Sequence, residues 1–130
     1  MEKIWDELYV AAKQVLRPRR ISDRMEAGGV AGAVEAGSGR VYVGVCGDAA
    51  CSLGVCAGRN AIFNMITCGE SVLRRVVAVD WDGRALPPCG ACRELMAELM
   101  PETYKSVEIM LDYEAARVVT LGDLTPEWWF

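Results

Sequence analysis

The stretch Cys56-Ala57-Gly58-Arg59 places one cysteine at the start of a predicted helix. A second stretch, Pro88-Cys89-Gly90-Ala91-Cys92, places two more at the start of the next helix, one helical turn apart. Thiolates are favoured at a helix N-terminus, because the unpaired N–H groups and the helix dipole stabilise negative charge there. Two such helix starts can converge on one cation. The sequence therefore predicts a metal site built from Cys56, Cys89 and Cys92.

The predicted site has the character of a catalytic zinc centre. Three thiolates leave the fourth tetrahedral position open for water, as catalytic rather than structural zinc sites do. Arg59 lies three residues after Cys56 on the same predicted helix, and its guanidinium is expected to contact the sulfurs. That contact would offset the net negative charge of a zinc ion with three thiolates, which is costly to bury unpaired.

Two other interpretations of the cysteines stay open. Cys89 and Cys92 could form a redox pair, as a Cys-x-x-Cys motif does in thioredoxin-like proteins. Cys51 could add a fourth ligand and make the site structural. Otherwise Cys46, Cys51 and Cys68 are expected to be small buried apolar residues.

The composition excludes several classes of protein. There is no histidine among the 130 residues, which removes Ser-His and Cys-His hydrolases, mixed His/Cys zinc fingers and HExxH metalloproteases. The net charge of −4 offers no basic surface for a nucleic acid. No segment approaches the ~20 apolar residues of a membrane span, and the N-terminus has no signal pattern. We expect a single cytoplasmic domain over residues 1–130.

The hydrophobic pattern predicts the element order αββαβαββ, which indicates one mixed sheet with helices on its faces. The predicted helices span residues 4–15, 55–68 and 90–100, and the predicted strands span residues 28–35, 41–46, 76–79, 107–111 and 117–120.

At its cysteine motifs the chain resembles the cytidine deaminase family. The family signature is Cys-Ala-Glu-Arg at one helix start and Pro-Cys-x-x-Cys-Arg at the next. The matching residues here are Cys56-Ala57-Gly58-Arg59 and Pro88-Cys89-Gly90-Ala91-Cys92-Arg93. Their first cysteines lie 33 residues apart, and the spacing in the family is similar. Residues 30–34, 39–44 and 124–126 also look like the small cytidine and blasticidin S deaminases.

This resemblance implies a three-layer α/β/α sandwich around a five-stranded mixed sheet. It implies a zinc-dependent aminohydrolase that deaminates a cytidine-like nucleoside or a related aminated base, with one Zn²⁺ per chain. The backbone around Ala57 and the carbonyl of Pro87 would contact the base edge and its amine. Family members are typically tetramers, so we expect a homo-tetramer or dimer with the tail Trp128-Trp129-Phe130 at an interface.

Two departures from the family pattern affect the expected function. Gly58 stands where the family has its proton-carrying glutamate, so this chain is expected to be weak or inactive. Glycine also costs up to ~1 kcal/mol in a helix interior, and we expect no structural benefit from it. The spacing supports neither Asp48 nor Glu70 as a replacement acid.

The second departure concerns the sugar, because the Asn-x-Glu pair that holds ribose in the family is missing from residues 45–49. Asp48 could bind one hydroxyl, so a modified nucleoside, a free base or a blasticidin-like molecule remains open as the substrate. A zinc-binding pseudoenzyme that holds a nucleoside-like ligand without turnover is the alternative function.

Overall fold

The computed structural model of the protein describes residues 1–130. Three helices and seven strands follow one another along the chain. They are α1 (Lys3–Val15), β1 (Arg19–Ser22), β2 (Met25–Ala36), β3 (Val41–Ala49), α2 (Ala57–Thr67), β4 (Leu73–Asp80), β5 (Ala85–Leu86), α3 (Gly90–Leu99), β6 (Glu108–Asp112) and β7 (Arg117–Thr120). Short 3-10 turns span Tyr104–Ser106 and Leu121–Leu124. None of the helices combines the length and the apolar content that crossing a membrane requires.

The strands form one mixed sheet, which confirms the predicted fold class. The five predicted strands lie in the order β3-β2-β4-β6-β7, with β4 and β6 parallel and the other pairs antiparallel. The sheet has seven strands rather than five, because β1 pairs with β2 and β5 pairs with β4. The pattern missed β1 because all four of its residues are exposed and carry no apolar alternation, and it missed β5 because that strand has only two residues.

Helices cover both faces of the sheet. On one face, α1 buries Trp5, Leu8 and Ala12 against Ala31 and Ala33 of β2 and against Val77 and Val79 of β4. On the other face, α2 and α3 pack over a second core that includes Val34 and Ala36 of β2. The two sets of β2 side chains alternate because successive residues of a strand point to opposite faces. The result is an α/β/α sandwich.

Two glycines let α2 lie close against the sheet. A Cβ atom at Gly44 of β3 would stand 2.5 Å from the backbone nitrogen of Ala61, and one at Gly32 of β2 would stand 3.0 Å from the carbonyl oxygen of Ala57. Side-chain amides complete the attachment, because Asn60 and Asn64 donate hydrogen bonds to the carbonyls of Val45 and Val43 at 2.9 and 2.7 Å. These contacts hold α2 against β2 and β3.

We expect the substitution Gly44→Ala to destabilise the fold. The added methyl would push α2 away from β3, and overpacking of this kind costs about 1–3 kcal/mol. Chemical denaturation of the metal-free protein measures the change in the free energy of unfolding. Gly90→Ala is the matched control, because a Cβ atom there meets nothing within 4 Å. Equal losses in the two variants would contradict the close packing of α2.

Candidate metal centre

The cysteines of the two motifs lie at the N-termini of α2 and α3. Cys56 is the N-cap residue of α2 and Cys89 is that of α3, and both have extended backbone angles. Neither side chain makes a capping hydrogen bond, and neither helix has an acidic residue in its first turn. The free N–H groups of both helices are therefore available to stabilise negative charge on the sulfurs.

The three sulfur atoms form one cluster. The Sγ atom of Cys56 lies 2.8 Å from that of Cys92 and 3.7 Å from that of Cys89, and the Sγ atoms of Cys89 and Cys92 are 3.6 Å apart. Tetrahedral zinc with bonds of about 2.3 Å to sulfur would separate its ligands by about 3.8 Å, close to the two longer distances. Three soft thiol ligands within 4.8 Å of one another suit zinc well.

The cluster favours a metal centre over a redox pair. Cys92 lies closer to Cys56 than to Cys89, its partner in the Cys-x-x-Cys motif. All the cysteines are free thiols, and Cys51 is not a member of the group that could hold a metal ion. The four-cysteine structural site considered from the sequence is therefore absent.

The pKa of the half-buried Cys56 and that of the buried Cys92 shift in opposite directions. Burial alone would raise the pKa of Cys56, but hydrogen bonds with Cys92 and Arg59 outweigh it and hold that pKa below its ordinary value. The Nε atom of Arg59 donates to the Cys56 sulfur at 3.2 Å. The pKa of Cys92 is raised, first by burial and then by its hydrogen bond with Cys56. A cation bound among the sulfurs would favour their ionised forms, because metal-binding thiols must lose their protons.

The cluster lines a cavity of about 590 Å³. All the residues to which the sequence assigned a catalytic, substrate-binding or metal-binding role line the same cavity: Asp48, Cys56, Ala57, Gly58, Arg59, Pro87, Cys89 and Cys92. Asp48 is the only one of the lining residues with a carboxylate. Glu70 is elsewhere, since its carboxylate accepts hydrogen bonds from Ser38 and Tyr42 at 2.8 and 2.6 Å.

Gly58 is buried in the first turn of α2 and faces the sulfurs. A Cβ atom at this position would stand 2.9 Å from the Sγ atom of Cys92, so a side chain here projects toward the metal ligands. The expectation that this glycine brings no structural benefit stays a prediction. Any larger residue would require the Cys92 side chain to move.

The remaining cysteines are less buried than the sequence predicted. Cys51 and Cys68 are exposed, and Cys46 is half-buried and lines the cavity. Cys51 belongs to a turn in which it and Ser52 both have positive φ angles, and Cys68 is the C-cap residue of α2. Turns and helix ends lie at the surface, where hydrophobic composition alone cannot bury a residue.

Two residues near the cavity were not given roles by sequence reasoning. Arg93 donates one hydrogen bond to the carbonyl of Pro88 and another to that of Leu124, both at 2.9 Å. It thus ties the loop before Cys89 to the C-terminal 3-10 turn. The signals in the sequence were its position directly after Cys92 and its match to the arginine that ends the family signature. Trp81 lines the cavity from the turn between β4 and β5, and nothing in the sequence around it pointed there.

The C-terminal aromatic residues fold back on their own chain but stay partly uncovered. Trp128 packs against the core beneath α3, and the Nε1 atom of Trp129 donates to the carboxylate of Glu94 at 2.7 Å. Trp129 nevertheless remains 74% exposed and Phe130 47% exposed. The two rings contact each other edge to face, with centroids 4.8 Å apart.

Comparisons with known proteins agree on one family. No family model matches the chain. The cytidine deaminase of Halalkalibacterium halodurans is 42% identical over 50 residues, and this match spans only 38% of the curated relative's length and 38% of the chain. The crystal structure of cytidine deaminase from Mycobacterium tuberculosis has a TM-score of 0.77 at 27% identity and covers 97% of both chains. The structures from Mycobacterium leprae and Burkholderia pseudomallei have TM-scores of 0.75 and 0.74 at 29% and 28% identity, and cover 95% and 98% of this chain and 98% of their own.

Proposed function

We propose, because this chain belongs to the cytidine deaminase family, that it is a zinc-dependent aminohydrolase acting on a cytidine-like nucleoside or a related aminated base. The observation that carries the proposal is the cluster of three thiols at two helix N-termini on the wall of one cavity. Its turnover is weak, because no acid stands at position 58.

Cys56, Cys89 and Cys92 would hold one zinc ion per chain. The chemistry that such an ion supplies is a bound water acidic enough to ionise near neutral pH. Arg59 remains hydrogen-bonded to the Cys56 sulfur and offsets the excess negative charge of three thiolates. The N-termini of α2 and α3 contribute in the same sense through their unpaired N–H groups.

The cavity walls orient the substrate in this proposal. The backbone around Ala57 and the carbonyl of Pro87 contact the edge of the base and its amine, and both residues line the cavity. Arg93 acts through the loop that it holds, since its bond to the carbonyl of Pro88 positions the residues directly before Cys89. Asp48 is available for one donor group on the substrate.

Proton transfer is the step that this chain performs poorly. Hydrolytic deamination moves protons from water to the ring nitrogen and to the leaving amine, and a positioned acid–base group contributes about 10²–10⁴-fold to such a reaction. Gly58 has no side chain to carry a proton. The one lining carboxylate, Asp48, is exposed and belongs to β3 rather than to the helix that presents Cys56.

A pseudoenzyme that binds a nucleoside-like ligand without turnover is the second candidate. The absent glutamate at position 58 and the absent Asn-x-Glu pair before Cys56 favour it. The two functions share the metal site and the cavity, so they differ only in whether any ammonia is released. Restoring an acid at position 58 discriminates between them.

We also propose that the protein is a cytoplasmic homo-tetramer or dimer with the tail Trp128-Trp129-Phe130 at an interface. The exposed faces of Trp129 and Phe130 support this, because large exposed aromatic surfaces mark contacts. Sedimentation velocity tests the assembly. A monomer at micromolar concentration would contradict it.

Zinc content and ammonia release test the proposed function directly. We expect one zinc per chain by metal analysis, and slow ammonia release from cytosine-type compounds that stops when a chelator removes the metal. A chain that neither retains nor takes up zinc would overturn the metal centre. A zinc-loaded chain that binds none of these compounds would overturn both the deaminase and the pseudoenzyme.

A further inference from the structure

The walls of the cavity contain few polar side chains. Among the lining residues, only Asp48, Arg59 and Trp81 carry a side-chain nitrogen or oxygen atom. Arg59 is already committed to the Cys56 sulfur. The other lining side chains are aliphatic, proline or sulfur-containing, or are absent because the residue is glycine. Asp48 is therefore the one carboxylate acceptor among the lining side chains, and one of its oxygens already accepts a hydrogen bond from the Cys46 thiol at 4.0 Å.

The few polar side chains of the cavity are poorly suited to binding a ribose. The sugar of a ribonucleoside carries three hydroxyl groups, and each must find a partner when it leaves water. Asp48 can accept from one or two of them at most. Each buried hydroxyl without a partner weakens binding by about fivefold or more. A substituent without hydroxyl groups would give up no hydrogen bonds with water when it enters the cavity.

Trp81 stands at the rim of the cavity and offers an exposed aromatic surface. Its side chain is 65% exposed although it lines the cavity, so a large apolar ring faces solvent where a ligand would enter. It passes over Gly29 of β2, where a Cβ atom would stand 4.0 Å from its Cε3 atom. Exposed aromatic residues at a cavity mouth are typical of ligand contacts rather than of the core.

The turn that carries Trp81 is held firmly. The carboxylate of Asp80 accepts hydrogen bonds from the backbone N–H groups of Asp82 and Arg84 at 2.9 and 3.0 Å. Gly83 closes the turn with a bond from its N–H to the carbonyl of Asp80 at 2.9 Å, and the hydroxyl of Tyr9 donates to the carbonyl of Gly83 at 2.7 Å. Because the backbone is fixed before a ligand arrives, little ordering cost opposes stacking on the indole.

Trp81 and Asp48 flank the same end of β2 from opposite sides. Val30 of β2 pairs with Asp80 of β4, next to Trp81, whereas Glu26 of β2 pairs with Asp48 of β3. A molecule that fills the cavity therefore meets the indole on one side and the carboxylate on the other. Trp81 and Asp48 are both exposed, as is Cys89 of the sulfur cluster, whereas Cys92 is only 4% exposed.

We propose that Trp81 determines specificity, by stacking on a planar apolar substituent of the substrate in the place where cytidine carries ribose. The substrate class is then an aminopyrimidine with an aromatic or other flat apolar group on that ring nitrogen. This inference rests on the proposed function, because it assumes that the amine of the pyrimidine lies at the sulfur cluster. Stacking of this kind is worth about tenfold in affinity.

Calorimetric titration of the zinc-loaded unsubstituted chain tests the substrate class, since slow turnover leaves binding measurable. The three probes are cytosine, cytidine, and benzylcytosine with the benzyl group on the ring nitrogen that bears ribose in cytidine. We expect benzylcytosine to bind at least about tenfold more tightly than cytidine. Tighter binding of cytidine than of benzylcytosine overturns this inference and leaves the proposed function standing. Failure of all three probes to bind overturns both.

Variants at position 81 test the role of the indole. Trp81→Ala should weaken benzylcytosine about tenfold and leave cytosine nearly unchanged, whereas Trp81→Phe should keep most of the affinity because a ring remains. Phe63→Ala is the matched control, because Phe63 is also a half-exposed aromatic residue but does not line the cavity. Circular dichroism checks that each variant is folded. Equal affinity of Trp81→Ala and the unsubstituted chain for benzylcytosine, or an equal loss of affinity in Phe63→Ala, overturns the assignment.

Discussion

Replacement of Gly58 by glutamate is expected to raise the rate of ammonia release from the zinc-loaded chain by about 10²–10⁴-fold, the range that one positioned acid–base group contributes. The physical reason is the direction of the missing side chain. A Cβ atom built at position 58 points at the Sγ atom of Cys92, 2.9 Å away, so a carboxylate there would project toward the metal ligands. Release of ammonia at several substrate concentrations measures the gain as kcat/KM.

The same geometry sets the controls for this substitution. Any side chain at position 58 requires a small movement of Cys92, so a second variant must separate that movement from the acid. Gly58→Gln has nearly the same size as Gly58→Glu and cannot exchange a proton. We expect zinc to be retained in both variants and the rate to rise only with glutamate. A zinc-loaded Gly58→Glu variant that binds aminated bases without releasing ammonia would instead favour the pseudoenzyme.

The second large effect is expected from Cys89→Ser, which should reduce zinc affinity by more than about 100-fold and abolish metal-dependent ammonia release. Removal of an outer hydrogen-bond partner of a metal ligand already costs about 10–100-fold, and loss of the ligand itself should exceed that. Cys89 is the best of the three cysteines for this test. Cys89 is exposed, whereas Cys92 of α3 is buried in the core and Cys56 is half-buried. Replacement of Cys89 therefore disturbs the packing least.

Competition with a chromogenic chelator measures the zinc affinity of each variant. Cys51→Ser is the matched control, because Cys51 is an exposed cysteine outside the sulfur cluster. The control should keep its zinc and its activity. Cys89→Ser with unchanged zinc affinity, or a comparable loss in Cys51→Ser, would contradict the three-thiol site.

Much of the fold followed from local patterns. The apolar spacing in α1, the buried run around Val77 and the near-alternation in β3 each depend on a few neighbouring residues, and those elements form where expected. The strands that the pattern missed, β1 and β5, bury no continuous apolar face. Their hydrogen bonds come from β2 and β4, which lie elsewhere in the sequence. Pairing partners of this kind leave no local signal.

The candidate site also has features that local sequence predicts and features that it does not. Cys56, Cys89, Cys92 and Arg59 could be proposed from the sequence because helix starts and cysteine spacing are local features, and the structure brings all of them to one cavity. The short distance from a Cβ atom at position 58 to the Cys92 sulfur could not be predicted, since it is set by how α2 and α3 approach each other. Nor could the roles of Arg93 and Trp81, because their partners Leu124 and Gly29 are distant in the chain.

The sequence by itself determined the kind of chemistry: no histidine, three cysteines at two helix starts, and no acid at position 58. These are properties of residue identity and short spacing, which the chain carries into any fold. Only the tertiary structure decided what surrounds that chemistry. It brought the three sulfurs within 4.8 Å, lined the cavity with apolar side chains and placed Trp81 at its rim. The physical reason is that such distances depend on how closely distant segments pack, as where Gly32 and Gly44 admit α2 close to the sheet, and no local pattern encodes that packing.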